Sequence, residues 1–173
     1  RALGDKSAEA DAYYRLGKLL FMTTGDLKGS FEALDHAESI LASQPSSALM
    51  VDVFGYKGWI LRRWGDSKGA SEYFQKGAEM AESGGHESAL PAILMALART
   101  KIDTGHLDAA VENSRKVMAI ARKLGNRRDE AFALTTIGEI LSTKGDFKAA
   151  LEHFEESMKI SIEIGNLEYQ SYG

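Results

Sequence analysis

Gly25-Asp26-Leu27-Lys28, Gly65-Asp66-Ser67-Lys68, Gly105-His106-Leu107-Asp108 and Gly145-Asp146-Phe147-Lys148 begin 40 residues apart, three times in succession. A fixed period of this length marks a chain built from one repeated supersecondary unit. Other residues keep the same phase. Five residues after each turn Gly stand Ser30, Ala70, Ala110 and Ala150, and nine after stand Leu34, Phe74, Ser114 and Phe154. Seven before the later turns stand Gly58, Ala98 and Gly138, preceded by Lys57, Leu97 and Ile137. Small residues at a recurring place imply close backbone approach, with large side chains filling the places between.

Within a unit the apolar spacing is helical. Val51, Phe54, Gly58, Leu61 and Trp64 step by three or four residues, as do Tyr73, Phe74, Gly77, Met80 and Ala81 after the turn. The Gly takes the left-handed conformation that ends the first helix, and the following Asp caps the second by accepting from its free N–H groups. His106 replaces that Asp in the third unit and is expected to be a weaker cap. Gln44-Pro45-Ser46-Ser47, Ser83-Gly84-Gly85-His86 and Leu124-Gly125-Asn126-Arg127 supply breakers between units. The expected helices span residues 8–23, 27–42, 47–63, 67–83, 87–103, 107–123, 127–143 and 147–164, with no strand signal. The first unit is out of phase by one: Gly17 lies eight residues before its turn Gly, whereas Gly138 lies seven before. One extra residue therefore widens the helix end within Leu19 to Thr24.

Within Leu134 to Ile160 the chain reads Leu-x-x-Ile-Gly-x-x-Leu-x-x-x-Gly-Asp-Phe-x-x-Ala-x-x-x-Phe-x-x-Ser, from Leu134 to Ser157. This pattern resembles the tetratricopeptide repeat, which normally has about 34 residues. Residues 54–80 match it with Gly58, Gly65, Ala70, Phe74 and Gly77; the third unit departs from it, with Ser114 where an aromatic is usual. The 40-residue length resembles a long-repeat branch seen in spindle-orientation adaptors and in bacterial signalling and transcription regulators. That branch's phrase Leu-Gly-Asn/Asp-x-x-x-Glu-Ala stands here at Leu3–Ala10 and Leu124–Ala131. The resemblance implies an all-α fold, a right-handed α-α superhelix of four helix-turn-helix repeats. The repeats fall at residues 9–46, 47–86, 87–126 and 127–166. Residues 1–8 read as the tail of a preceding repeat and 167–173 as the start of a further helix, so an excised piece of a longer array is expected.

Composition narrows the function. The chain has 173 residues, a net charge of −4, no Cys and two Pro. Disulfides and thiolate metal sites are excluded. Apolar runs such as Ile93 to Ala98 are far shorter than the roughly 20 residues of a membrane span. Residues 1–15 are charged throughout, unlike a signal peptide, which leads to an expected cytoplasmic location. Mild acidity without a basic block argues against nucleic acid. His36, His86, His106 and His153 occur in four different phases and do not converge on a metal. Glu152, Glu155 and Glu156 read as solvated helix charge, and the Gly-rich turns lack the Gly-x-x-x-x-Gly-Lys-Ser/Thr pattern. Neither an enzyme nor a cofactor is expected.

Stacked helix pairs curve so that the first helix of each pair lines a concave face. By the family's geometry the lining positions are Tyr14 and Lys18; Gly55, Trp59, Arg62 and Arg63; Met95, Arg99, Ile102 and Asp103; and Thr135, Glu139, Ser142 and Thr143. Trp59, Arg62, Arg63 and Arg99 form a cationic and aromatic patch suited to an acidic or acidic-apolar peptide of a protein partner. A structural alternative has Trp59 packing on the adjacent repeat and Arg62 and Arg63 complementing the helix dipole. The family's carboxylate clamp for heat-shock chaperones needs Lys, Asn and Arg where this chain has Tyr14, Lys18, Tyr56, Ala92 and Ala96, so that role is not expected. Two readings follow. The first is a protein-binding scaffold; the alternative is a sensory segment that takes a small ligand or signalling peptide and controls an attached effector. Self-association through open ends is a third expectation.

Overall fold

The computed structural model describes residues 3–42 and 47–171, with side chains over 6–42 and 47–165. Among these residues there are eight α-helices and no strand: α1 (Leu3–Leu19), α2 (Leu27–Leu41), α3 (Ala48–Arg63), α4 (Ser67–Ser83), α5 (Leu90–Asp103), α6 (Leu107–Leu124), α7 (Arg127–Thr143) and α8 (Phe147–Ser171). They form two compact units, Arg1–Ala89 and Leu90–Gly173, each holding two antiparallel helix pairs.

The turns work as their chemistry requires. Gly25, Gly65, Gly105 and Gly145 have φ of 68°, 84°, 77° and 84°, a region that costs a side-chain-bearing residue dearly. Asp26 and Asp66 then cap α2 and α4 by accepting from the N–H of Gly29 at 3.0 Å and of Gly69 at 2.9 Å. Asp146 accepts from Ala149 at 3.2 Å. His106 makes no such cap bond; its Nδ1 lies 3.0 Å from Thr104 Oγ1 instead.

The phased small residues are seats for the large ones. A Cβ on Gly58 would stand 2.6 Å from the Phe74 ring, one on Gly138 would stand 2.7 Å from Phe154, and one on Gly17 would stand 2.8 Å from Leu34. In the third pair the exchange is reciprocal: Ala98 carries the extra methyl, and Ser114 replaces the bulky partner. Ser30, fully buried, donates to the carbonyl of Gly17 at 2.7 Å, using its hydroxyl where the other pairs place an alanine.

The extra residue of the first pair is a π-helical turn over Leu20–Thr24. Thr23 and Thr24 donate their hydroxyls to the carbonyls of Leu19 and Leu20, at 2.6 and 2.9 Å, which holds the widened end together. Three helix boundaries differ from the sequence reading. The third pair starts with a 3-10 turn, Glu87–Ala89, before α5, because Pro91 fits only the first turn of a helix. Helix α1 already begins at Leu3. Helix α8 runs through Gly165 to Ser171; Gly165 keeps a negative φ and so does not end it. The predicted breaker Gln44-Pro45-Ser46 lies outside the described residues.

Two buried charges tie neighbouring pairs together. Lys57 of α3 occupies the phase held by Leu97 and Ile137, and it is fully buried. Its ammonium binds Asp35 and Glu38 of α2 and lies 4.6 Å from the centroids of Phe31 and Tyr73. Burial pulls its pKa down, but the hydrogen bonds it donates to Asp35, Glu38 and Tyr73 outweigh this, so it stays charged with a raised pKa. In the second unit, buried Glu130 of α7 accepts from Arg122 of α6 at 2.6 Å and pairs with Arg127. Those guanidiniums reach Glu156 at 2.8 Å and Glu163 at 2.7 Å on α8. The Glu130 carboxyl is opposed by burial yet held below its ordinary range by the two arginines.

Candidate functional site

In the first unit, α1 and α3 lie side by side and share an aromatic surface edged with cations. Tyr14 and Phe21 each present an edge to Tyr56, with centroids 5.8 Å apart in both cases. The Lys18 ammonium is 5.8 Å from the Tyr56 centroid, and the Arg63 guanidinium is 5.2 Å from that of Phe21. Burial first, then the nearby Asp52 and Tyr56, pushes the Tyr14 phenol up to about 12. Partial desolvation also raises the Asp52 carboxyl, against the opposing pull of Lys18. The π turn contributes directly here, because it carries Phe21 beneath Arg63.

Trp59 belongs to a second cluster on α3. Its ring meets Phe74 of α4 edge-on at 5.5 Å, and the Arg62 guanidinium lies 5.6 Å from its centroid. Trp59 thus packs within its own helix pair and is half-buried. Arg63, expected beside it, is instead on Phe21.

In the second unit, α5 and α7 make the corresponding surface. Arg99, one residue after its seat residue as Lys18 is, lies 6.0 Å from the ring centroid of Phe132, which is 45% exposed. Met95, placed on the lining by its phase, is only 8% exposed, and its sulfur accepts from Thr136 Oγ1 at 3.7 Å. Ile102 packs into the cluster of Ala98, Ala110, Val111 and Ile140. Thr135 pairs with Ser157 at 2.8 Å. Glu139, Thr143 and Asp103 are exposed, while Ser142 and Gly55 are half-buried. An open cleft of about 300 Å³ runs beside these residues, lined by Arg128, Ala131, Phe132, Thr135, Ser157, Ser161 and Ile164.

Phe21, Asp52, Tyr56 and Phe132 are the surface residues that sequence reasoning passed over. Phase alone points to three of them: Asp52 and Phe132 both stand thirteen residues before their turn Gly, and Tyr56 stands nine before. Among the described residues no group of three or more His, Asp or Glu is placed to hold a metal ion, and no helix is long and apolar enough to cross a membrane.

Comparison with known proteins agrees with this architecture. A family model described as tetratricopeptide repeat matches residues 90–163. A search of curated proteins finds no match. The structure is similar to that of BtubC (BKLC) from P. vanneervenii, with a TM-score of 0.83 and 16% identity, over 90% of this chain and 64% of that one. It is also similar to the kinesin light chain TPR-like repeats of Podosopora anserina, with a TM-score of 0.72 and 18% identity over 90% and 76%. Aspartyl phosphate phosphatase F from Bacillus subtilis gives a TM-score of 0.83 and 16% identity over 96% and 44%. The chain thus spans less than two thirds of BtubC and under half of the phosphatase. At these identities the likeness shows the fold, an all-α helical repeat. Residues 90–163 thus match the tetratricopeptide repeat, and the helix pairs before them are built to the same 40-residue plan.

Proposed function

We propose that this chain is a protein-binding module whose first-helix surfaces, α1 with α3 and α5 with α7, each take a partner segment mixing acidic and apolar side chains. The observation that carries the reading is the repeated pairing of an exposed cation with an aromatic ring: Lys18 on Tyr56, Arg63 on Phe21 and Arg99 on Phe132. A ring beneath a cation holds the long side chain in place, so less of its freedom is lost when a carboxylate docks on it. Arginine adds a planar fork matched to that carboxylate. The exposed part of each ring offers apolar area to a neighbouring Leu or Ile of the same segment.

The alternative, a sensor of a small ligand, calls for an enclosed and mostly apolar pocket. The clefts described here lie open on the surface. One is the cleft beside Phe132; the other, of about 490 Å³, is lined by Lys6, Glu9, Tyr13, His36, Ser39, Ile40 and Ala42. Open clefts favour side chains of a peptide.

The test is calorimetric titration with a synthetic acidic-aliphatic peptide and with its Lys-for-Glu counterpart. The acidic peptide should bind and the basic one should not. Arg63→Glu combined with Arg99→Glu should weaken binding at least about tenfold, corresponding to roughly 1.4 kcal/mol. Arg115→Glu, on the exposed face of α6, should leave it unchanged. Equal affinity for both peptides, or no effect of the double reversal, overturns the reading.

A further inference from the structure

Asp52 and Tyr56 stand one turn apart on α3 and face Tyr14 and Lys18, one turn apart on α1. The Tyr56 ring meets the edge of Tyr14 and lies beneath the Lys18 ammonium. Asp52 has no such contact. It is exposed, and among the described residues its carboxylate accepts no hydrogen bond and joins no ion pair. It is nevertheless partly withdrawn from water, which raises its pKa, with Lys18 opposing from a distance. A carboxylate in this state gains from any cation brought within about 4–6 Å.

The charges of this surface come in a fixed order. At a rise of roughly 1.5 Å per residue along α3, Asp52 is followed by Tyr56 with Lys18 about 6 Å on, and by Arg63 with Phe21 about 16.5 Å on. Neither cation has an ion pair among the described residues. Between them the surface is open, since a Cβ on Gly55 would meet nothing within 4 Å. No other first helix offers the same free anion. The phase of Asp52 is held by Ala92 on α5 and Phe132 on α7, and on α1 by Asp11, which is already paired with Arg15 at 2.6 Å.

We propose that Asp52 sets the specificity of the α1–α3 surface by taking a Lys or Arg that flanks the acidic-aliphatic stretch of the partner segment. The segment's charges then run cation, anion, anion against Asp52, Lys18 and Arg63. This rests on the reading that the first-helix surfaces receive such segments, and adds to it which end of the segment goes where. A uniformly acidic segment would set a like charge against Asp52, whereas a flanking cation turns that repulsion into attraction.

Amide chemical-shift titration read at Lys18, Tyr56 and Arg63, which isolates the first unit, tests this with three peptides sharing one acidic-aliphatic stretch. One is flanked by Leu at both ends, one has Lys at the amino end, and one has Lys at the carboxyl end. One of the two Lys peptides should bind the parent chain roughly two- to fivefold tighter than the Leu peptide, and the end that gains gives the direction in which the segment lies. The gain should vanish in Asp52→Asn and become a loss in Asp52→Lys. Glu72→Gln, the same loss of charge at an exposed place on α4, should retain it. With the tighter peptide bound, the Asp52 carboxyl should titrate lower than in the free chain. A gain that is absent, equal at both ends, or kept by Asp52→Asn overturns the proposal while leaving the capture of acidic-aliphatic segments intact. Failure of all three peptides to bind overturns that reading too, and this one with it.

Discussion

Gly58→Ala and Gly55→Ala are the same chemical change, three residues apart in the middle of α3, and they should move stability in opposite directions. A methyl at Gly58 would meet Phe74 Cε1 at 2.6 Å, Cδ1 at 2.7 Å and Cζ at 2.9 Å, against an optimum of roughly 3.5–4.0 Å between carbons. Phe74 is fully buried and has Trp59 edge-on against its ring, which limits its retreat. Overpacking of this kind costs about 1–3 kcal/mol, and the better helix propensity of Ala returns about 1 kcal/mol. The net loss of up to about 2 kcal/mol corresponds to a fall in Tm of up to about 8 °C for a chain of this size. At Gly55 a methyl meets nothing within 4 Å, so only the propensity gain of up to about 1 kcal/mol remains, a rise of about 2–4 °C. Thermal unfolding followed by circular dichroism measures both. In a Phe74→Ser background, which recreates the Ala98 and Ser114 combination, Gly58→Ala should reverse sign and stabilise. If Gly58→Ala and Gly55→Ala behave alike in the parent chain, the small residues are not seats for the large ones, and the packing account fails.

Three further perturbations probe separate parts of the structure. His106→Asp should add about 0.5–1 kcal/mol by supplying the missing cap of α6; an unchanged Tm in thermal melts would show that the cap reading of the turn is wrong. Lys57→Met, which puts an apolar residue in the phase of Leu97 and Ile137, removes the cation shared by Asp35 and Glu38 and should cost stability, by less than the about 3–5 kcal/mol of a fully buried pair, because both carboxylates keep partial access to water. Unchanged or raised stability in urea titration would instead show that the buried ion cluster is not a net stabiliser. Glu130→Gln should cost about 1.5–3 kcal/mol at neutral pH. Its carboxyl is held below the ordinary glutamate range, so its contribution is present above that range and is lost as pH falls through the lowered folded value. The gap between parent and variant should therefore close in acid, and a gap that stays constant to low pH would remove Glu130 from the acid response.

Much of this fold is legible in the chain itself because every pair solves the same problem at the same phase. The left-handed Gly, the capping Asp and the seat beneath Leu34, Phe74 and Phe154 are local or one-turn relations, and a period of 40 repeats them. Even the π turn shows as a one-residue excess between Gly17 and Gly25. Lys57 was not legible, since its partners lie 22 and 19 residues earlier on another helix, and a lysine in an apolar phase usually snorkels outward. Met95 shows the converse limit: its phase is that of Thr135, but its length lets it fold under Thr136. The aromatic partners of Lys18 and Arg99 were missed for a related reason. Each belongs to the next first helix, Tyr56 on α3 and Phe132 on α7, and which neighbour a long cation leans on depends on rotamers that spacing does not specify.

The central claim, that the first-helix surfaces receive the partner, is tested most directly by amide chemical-shift mapping of the labelled chain during titration with the acidic-aliphatic peptide. The account predicts that shifts cluster around Lys18, Tyr56 and Arg63 in the first unit and around Arg99 and Phe132 in the second. Shifts concentrated instead on the outer residues of α2, α4, α6 or α8 would contradict it.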